Sequence, residues 1–488
     1  MKKKKVLGLL LAASMVLSLA GCGGRGDSSA KSDTPSNVSG DTEAGQTASD
    51  ESNALEESAA GGDAVTIEVW SNNRHDEDYM TAKIEEFNAA NTDVQINYTI
   101  LTDDWQNSIQ LAFQANTAPD IISISASDGL KLGDYVSAGM FESLTSYISD
   151  ASDFQTVTEA MDHKYENLNS IGDDIYWVPT GVRSGTRIEY NIGLLKEAGY
   201  DAVPDTLAEM VEAAGAITAN GDGSIYGVGF TQNGFGRWLE GIGEMSGFNH
   251  MGYDYENGVF DFSEWIPLLE EASKFYANGD VLPGSETQGV DNNRALFAQG
   301  SFCFWGNASQ EAGVFTDQFP CSFDWGVAEL PTMEGEVKGA LNCTPNFGWA
   351  MLTSCKDKAA GWKVIEYFGS EEFLKGYFEG GYSAPLGSYM AGKIDASKAG
   401  RLADFALQPY EDVYPAVPAV TVEGDDYAIT MWNVVLGNLS ASDAVADLNT
   451  RYNAALESGL ANGSCQRLTI ENFDKLHPSA GTCVFSAE

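Results

Sequence analysis

VTIEVWSNNRHDEDYMTAKIEEFNAANTDVQINY, residues 65–98, carries three hydrophobic periods in succession. Val65, Ile67 and Val69 alternate with Thr66 and Glu68, the two-residue period of a strand with one face buried. Met80, Ile84 and Phe87 recur at three- and four-residue spacing, which places them on one face of a helix. Val94, Ile96 and Tyr98 then alternate again. Further on, Trp105, Ile109, Ala112 and Phe113 share a second helical face, and the run Ile121-Ile122-Ser123-Ile124 behind Pro119-Asp120 reads as a buried strand. Strands alternating with helices predict an α/β fold whose sheet is parallel with right-handed crossovers. Ligands of such sheets sit beyond the C-terminal ends of the strands, so the loops at 71–78 and 125–129 are the ones expected to meet a ligand.

Upstream, Met1 is followed by Lys2 to Lys5 and by an apolar run from Val6 to Ala20. At about 15 residues this run falls short of the ~20 needed to span a bilayer, so residues 1–21 read as a cleaved export signal. Its end, Leu19-Ala20-Gly21-Cys22, resembles the bacterial lipobox, which implies that Cys22 becomes the lipid-modified first residue and anchors the protein at the outer face of the cytoplasmic membrane. Residues 22–63 are mostly Gly, Ser, Asp, Glu, Thr and Ala with no aromatic side chain; they cannot bury enough surface to order themselves and read as a disordered linker. As a flexible coil that linker spans about 35 Å.

The chain has 488 residues, 43% of them hydrophobic, which is ample for a large core divided between two lobes. Against 27 Lys and Arg stand 71 Asp and Glu, a net charge of −44, and loss of the signal removes only basic residues. Such a field repels phosphate backbones and anionic headgroups, so nucleic acid is excluded as a partner and a neutral ligand suits it best. The cysteines beyond Cys22 lack zinc-type spacing and the four histidines are scattered, so no cofactor or metal is expected. Cys465 with Cys483 is the disulfide pair expected to staple an irregular C-terminal tail.

In the middle of the chain Tyr190-Asn191-Ile192-Gly193-Leu194-Leu195 runs into Lys196-Glu197-Ala198-Gly199-Tyr200. Val203-Pro204-Asp205-Thr206 then opens a helix carrying Leu207, Met210, Val211 and Ala214, with Asp205 or Thr206 as its N-cap. Together with Ala118-Pro119-Asp120-Ile121-Ile122, Ala138-Gly139-Met140-Phe141, Val178-Pro179-Thr180-Gly181, Ala295-Leu296-Phe297-Ala298-Gln299-Gly300 and Gly361-Trp362-Lys363-Val364, taken in this order, they carry a resemblance that runs from about Val65 to Leu460. Over that span the chain resembles the extracellular solute-binding proteins of sugar importers. The resemblance implies a two-lobed, periplasmic-binding-protein-like (type II) fold, each lobe a mainly parallel sheet flanked by helices, closing on ligand about a hinge. It implies lobe 1 at 64–180 and 345–390, lobe 2 at 185–342 and 391–488, and crossovers near 180–184 and 342–346. The function it implies is that of a monomeric solute-binding component of an ABC transporter, which captures a mono- or oligosaccharide and delivers it to permease subunits.

A sugar ring presents apolar C–H faces and a fringe of hydroxyls; a site for it stacks aromatic rings on the faces and aims amide, acid or guanidinium groups at the fringe. The resemblance puts Asn72, Asn73, Arg74, His75 and Asp128 in the hydrogen-bonding loops of lobe 1. It puts Asn233, Phe235, Arg237 and Trp238 in an aromatic and polar stretch of lobe 2, with Phe235 or Trp238 stacking and Asn233 or Arg237 donating. Trp305 lies just before Gly306, where Asn307-Ala308 replaces an expected Trp, and Asp425 opens a late helix that family ligands often reach. Arg183 stands where a sugar-contacting acid is expected, and the reversed charge leaves room for an acidic sugar. Two other functions compete with this one. An exported glycoside hydrolase needs only two carboxylates flanking a bond, although neither a Gly-x-Ser-x-Gly elbow nor a His-Glu-x-x-His helix occurs. The same fold could also dock on a surface sensor.

Overall fold

The computed structural model describes residues 64–487 apart from 102, 103, 129 and 233; the expected export signal, Cys22, the expected linker and Asn233 lie outside the described residues. Strand β1 (Val65–Ser71), helix α1 (Glu77–Ala90), β2 (Val94–Ile100), α2 (Trp105–Gln114) and β3 (Ile121–Ile124) follow the expected order. β1 pairs in parallel with β2, from Val65 opposite Val94 to Ser71 opposite Ile100, and with β3 on its other edge. A fourth strand, Gly348–Met351, completes the sheet antiparallel to β3. All of Ile121–Ile124 is buried because the sheet is covered on both faces. Ile121, Trp349 and Met351 enter one core with Met80, Ile84 and Phe87 of α1, whereas Ile122, Ile124 and Ala350 enter another with Trp105 and Ile109 of α2.

From this first sheet the chain crosses through β4 (Gly181–Arg183) into a second, built from β5 (Arg187–Asn191), β6 (Tyr226–Val228), β7 (Phe302–Asn307) and β8 (Trp325–Ala328). It returns through β9 (Thr344–Asn346) into β10, the Gly348–Met351 strand already described. β4 pairs antiparallel with β9 on one edge and with β11 (Ala384–Pro385) on the other, so three short strands make a small sheet at the crossing. The second sheet has the order β8-β5-β7-β6. Here the expectation of a mainly parallel sheet is corrected: β5 runs antiparallel to both β7 and β8, and only β6 and β7 are parallel. β5 follows the crossing strand directly, with no helix between, so it enters at the end where β7 finishes and must run the other way; β10 does the same in the first sheet.

Helix α3 (Leu207–Asn220) packs Leu207, Met210, Val211 and Ala214 into the core of this second lobe, and of its two candidate caps Thr206 accepts from the Glu209 N–H at 3.2 Å. The C-terminal tail is not irregular. Arg467–Glu471 and Thr482–Ser486 form an antiparallel ladder with Ile470 opposite Cys483, and Cys465 precedes it. The expected Cys465–Cys483 staple is absent: both thiols are free, as are the other described cysteines, and backbone pairing holds the tail instead.

Arg187, the first residue of β5, is 2% exposed and lies 2.5 Å from the Glu411 carboxylate. Glu411 also accepts from the N–H groups of Gly185 and Gln408, and Arg187 donates to the carbonyls of Gly185, Thr186 and Ala406. Elsewhere in this lobe, Glu240 and Glu244 stand one turn apart on α4 (Glu240–Met245). The Tyr427 hydroxyl donates to Glu240, His250 Nδ1 lies 2.5 Å from Glu244, and the Asn342 N–H donates to the other Glu244 oxygen. Burial, then the Glu244 carboxylate, push Glu240 up to about 7 from its ordinary 4.5.

Two outcomes are expected. Arg187→Ala strands the Glu411 charge in the interior and lowers the unfolding free energy by about 3–5 kcal/mol in a denaturant titration. Because Glu240 keeps its proton in the folded state above the pH at which the unfolded chain releases it, its contribution is full below about 4.5 and is lost as pH rises to about 7. Glu240→Gln should remove that downward slope from the Tm measured across this interval.

Candidate functional site

The strands β1, β3 and β7 all end at one cleft of about 680 Å³. From the first lobe it is lined by Asn73 and His75 after β1 and by Ser125, Ser127 and Asp128 after β3. The crossing contributes Arg183, Asn346, Phe347 and Ser383; the segment after β7 contributes 309–310, 312–314 and 316–318; and 399–402 closes one side.

Hydrogen bonds between the loops fix their shape. Asp128 accepts from Asn72 Nδ2 at 3.0 Å and from the Ser125 N–H at 2.9 Å, and Asn72 Oδ1 accepts from the Ser123 hydroxyl at 3.2 Å. Burial pushes the Asp128 carboxyl up, while these donors and the Arg183 guanidinium pull the other way. Burial likewise lowers Arg183, opposed only by Asp128. His75 Nε2 lies 3.2 Å from the Tyr382 carbonyl oxygen. The Tyr382 ring packs beside Tyr79 and Tyr377, and Phe347 stacks on Tyr377 with centroids 3.8 Å apart, so buried aromatic rings back the partly exposed Tyr382 at the cleft. Arg401 lies 3.8 Å over the Trp325 ring and presents its outer side to the same space. Among the described residues no group of three or more His, Cys, Asp or Glu side chains is placed to hold a metal ion.

Of the expected site residues, Asn73, His75, Asp128 and Arg183 share this cleft, with Asn72 braced behind Asp128. The others are elsewhere. Trp238 is 1% exposed, stacks on Phe230 at 5.0 Å and 14°, and lies so close to Gly306 that a Cβ there would come within 2.2 Å of its Cγ. Both of its faces are therefore covered, and the expectation that it stacks on a sugar is corrected. Phe235 is held between Trp265 and Tyr427, and Trp305 packs with Phe302, Val314 and Phe315, so neither ring is offered to a ligand. Arg237 donates to Asn307 Oδ1 at 3.1 Å behind the wall, Asp425 is exposed with its carbonyl bonded to Arg451, and Arg74 is exposed outside the lining. Among the residues missed were Gln310, Asp317, Asn346, Phe347, Tyr382, Ser383 and Arg401. The Gly380-Gly381 pair before Tyr382, with Gly381 at φ +78°, is the one local signal of a turn there.

Residues 72–374 match the family model described as bacterial extracellular solute-binding protein. The chain belongs to that family. No curated protein sequence matches it. Among solved structures it is similar to RafE from Streptococcus pneumoniae in its apo form, at 17% identity and TM-score 0.60 over 81% of this chain and 98% of that one. It is similar to the sugar-binding protein MalE from Xanthomonas citri, at 19% identity and TM-score 0.60 over 82% and 99%. The GacH receptor of Streptomyces glaucescens, solved unliganded and with acarbose, aligns at 20% identity and TM-score 0.59 over 81% and 99%. These likenesses establish the type II binding-protein fold of this solute-binding protein. No described helix is long and apolar enough to cross a membrane.

Trp238→Ala is expected to act on stability: loss of a fully buried indole should cost about 3–5 kcal/mol, read as a lower denaturation midpoint.

Proposed function

We propose that this solute-binding protein captures a sugar or oligosaccharide in the cleft by closure of its two lobes and delivers it to the membrane subunits of an ABC importer, anchored outside the cell through Cys22. The observation that carries this reading is the pairing, in one cleft, of the partly exposed Tyr382 ring, backed by buried Tyr377 and Phe347, with the polar side chains of Asn73, His75, Asp128, Arg183, Gln310 and Arg401. Aromatic faces suit the C–H faces of a pyranose, and side chains held by bonds to each other meet its hydroxyls without being reordered. Binding of acarbose by the GacH receptor supports a carbohydrate ligand.

For the lobes we propose 64–180 with 345–390 and 185–342 with 391–488, and the β4–β9 pair as the hinge. The composition of the cores supports that division: the cores around the first sheet draw on residues from Ile67 to Met390 with a gap between Val178 and Phe347, and the main core of the second draws on Ile188 to Leu341 and Tyr414 to Ile470. Closure about three short strands requires neither core to repack.

Thermal shift and tryptophan fluorescence of the purified protein against mono-, di- and oligosaccharides test the reading. A saturable shift with one glycan class and no turnover on long incubation is expected. Shortened glycan would make the protein a hydrolase, and silence across the panel would remove the carbohydrate reading. With the glycan that binds, Tyr382→Ala should weaken affinity at least tenfold, about 1.4 kcal/mol.

A further inference from the structure

Resting on the carbohydrate reading, we propose that the ligand carries a carboxylate, as a uronic-acid-bearing saccharide does, and that Arg183 at the crossing receives it. Arg183 lines the cleft and makes no hydrogen bond or ion pair with any described side chain; the one acid whose charge acts on it is Asp128. The oxygens of Asp128 are already engaged by Asn72 and the Ser125 N–H. Other arginines of this chain are matched with acids: Arg187 with Glu411, Arg294 with Glu311 and Asp291, Arg401 with Asp404, Arg451 with Asp447. With 71 acidic residues available, a half-buried guanidinium bonded to none of them is a group waiting for an external acceptor.

Behind the cleft, Arg237 feels the charges of both Arg183 and Arg294, and the buried acid beside it, Glu311, is held by Arg294. Glu189, fully buried near Glu311, is pushed well above its ordinary value by burial and then by that neighbour. Arg183 thus lies in a cleft that also carries Asp128 and Asp317, yet bonds to neither, in a protein whose net charge is −44. When the lobes close over a neutral sugar, Arg183 loses water and gains no counter-charge; a carboxylate supplies two oxygens in the geometry of the guanidinium fork.

Gln310 points to the rest of the ligand. Its Nε2 is held by Asn307 Oδ1 at 3.0 Å, whereas its Oε1, buried at the cleft wall, has no donor. That oxygen requires a hydroxyl or amide hydrogen, which a fully ionised phosphate does not offer and a uronate does. One carboxylate on a hydroxyl-bearing ring also meets less repulsion from the whole chain than a polyanion would.

Isothermal titration of the purified protein with galacturonate and glucuronate disaccharides, each beside its neutral counterpart of the same linkage, tests this. The uronates are expected to bind at least tenfold more tightly, with a preference that shrinks as salt is raised from about 0.05 to 0.5 M. Arg183→Gln should lower uronate affinity tenfold or more and Arg183→Lys by less, with the Tm of each variant showing that it is folded. Neutral disaccharides that bind as well as the uronates, or uronate affinity untouched in folded Arg183→Gln, would overturn the proposal and leave the carbohydrate reading standing. Failure of every saccharide, charged or neutral, would overturn both.

Discussion

The antiparallel contact of β4 with β9, three residues against three, is the constraint on which the two halves depend. Thr344 faces Arg183, Pro345 faces Val182 and Asn346 faces Gly181, and the third strand, β11, lies against the opposite edge of β4. Gly181 is required by the closeness of this packing, since a Cβ would come within 2.6 Å of both Asn346 Oδ1 and Ser383 Oγ. Next to it Phe347 adopts φ +49°, a left-handed backbone that a bulky side chain rarely takes and that costs about 1–3 kcal/mol. The Phe347 carbonyl accepts from both the N–H and the hydroxyl of Thr180, and its ring stacks on Tyr377; these contacts hold the strained residue between β9 and β10.

From that contact the antiparallel strands and the position of the cleft follow together. A chain that crosses at the cleft end enters each sheet where the other strands finish, so β5 and β10 run against their neighbours. The buried Arg187–Glu411 pair lies at the first residue of β5 and ties the returning segment 406–411 to it. Desolvation of both ions offsets most of their attraction, so the pair adds little net stability even though losing one partner is costly.

The cleft divides its polar groups by what they already touch. Asp128 and Asn72 bond to one another across two loops and act as framework. His75 approaches the Tyr382 backbone, joining residues 307 positions apart in the chain. Arg183 and Gln310 Oε1 retain capacity that no described residue fills. Preorganised groups of the first kind keep the second kind in position, so a ligand meets a shaped surface and does not have to order it.

How far this was legible in the sequence follows from the range of the forces involved. Periods of two and of three to four residues are written into local side-chain order, so β1, α1, β2, α2 and β3, the Thr206 cap, and the loops after β1 and β3 could be read directly. Asn73, His75 and Asp128 come from those loops, which is why they reach the cleft. An aromatic ring suits a core as well as a sugar, and nothing local to Trp238 reveals that Phe230 and Gly306 cover its faces. Tyr382, Gln310 and Arg401 reach the cleft only through the crossing strands and the order of the second sheet, contacts between residues far apart in the chain. The sequence by itself determined the elements of the first lobe and the ends of its strands, because hydrophobic periodicity is local. Only the tertiary structure decided which aromatics face the cleft, which way β5 runs and that Arg183 in the cleft bonds to no acid, because those depend on what packs against each side chain from elsewhere in the chain.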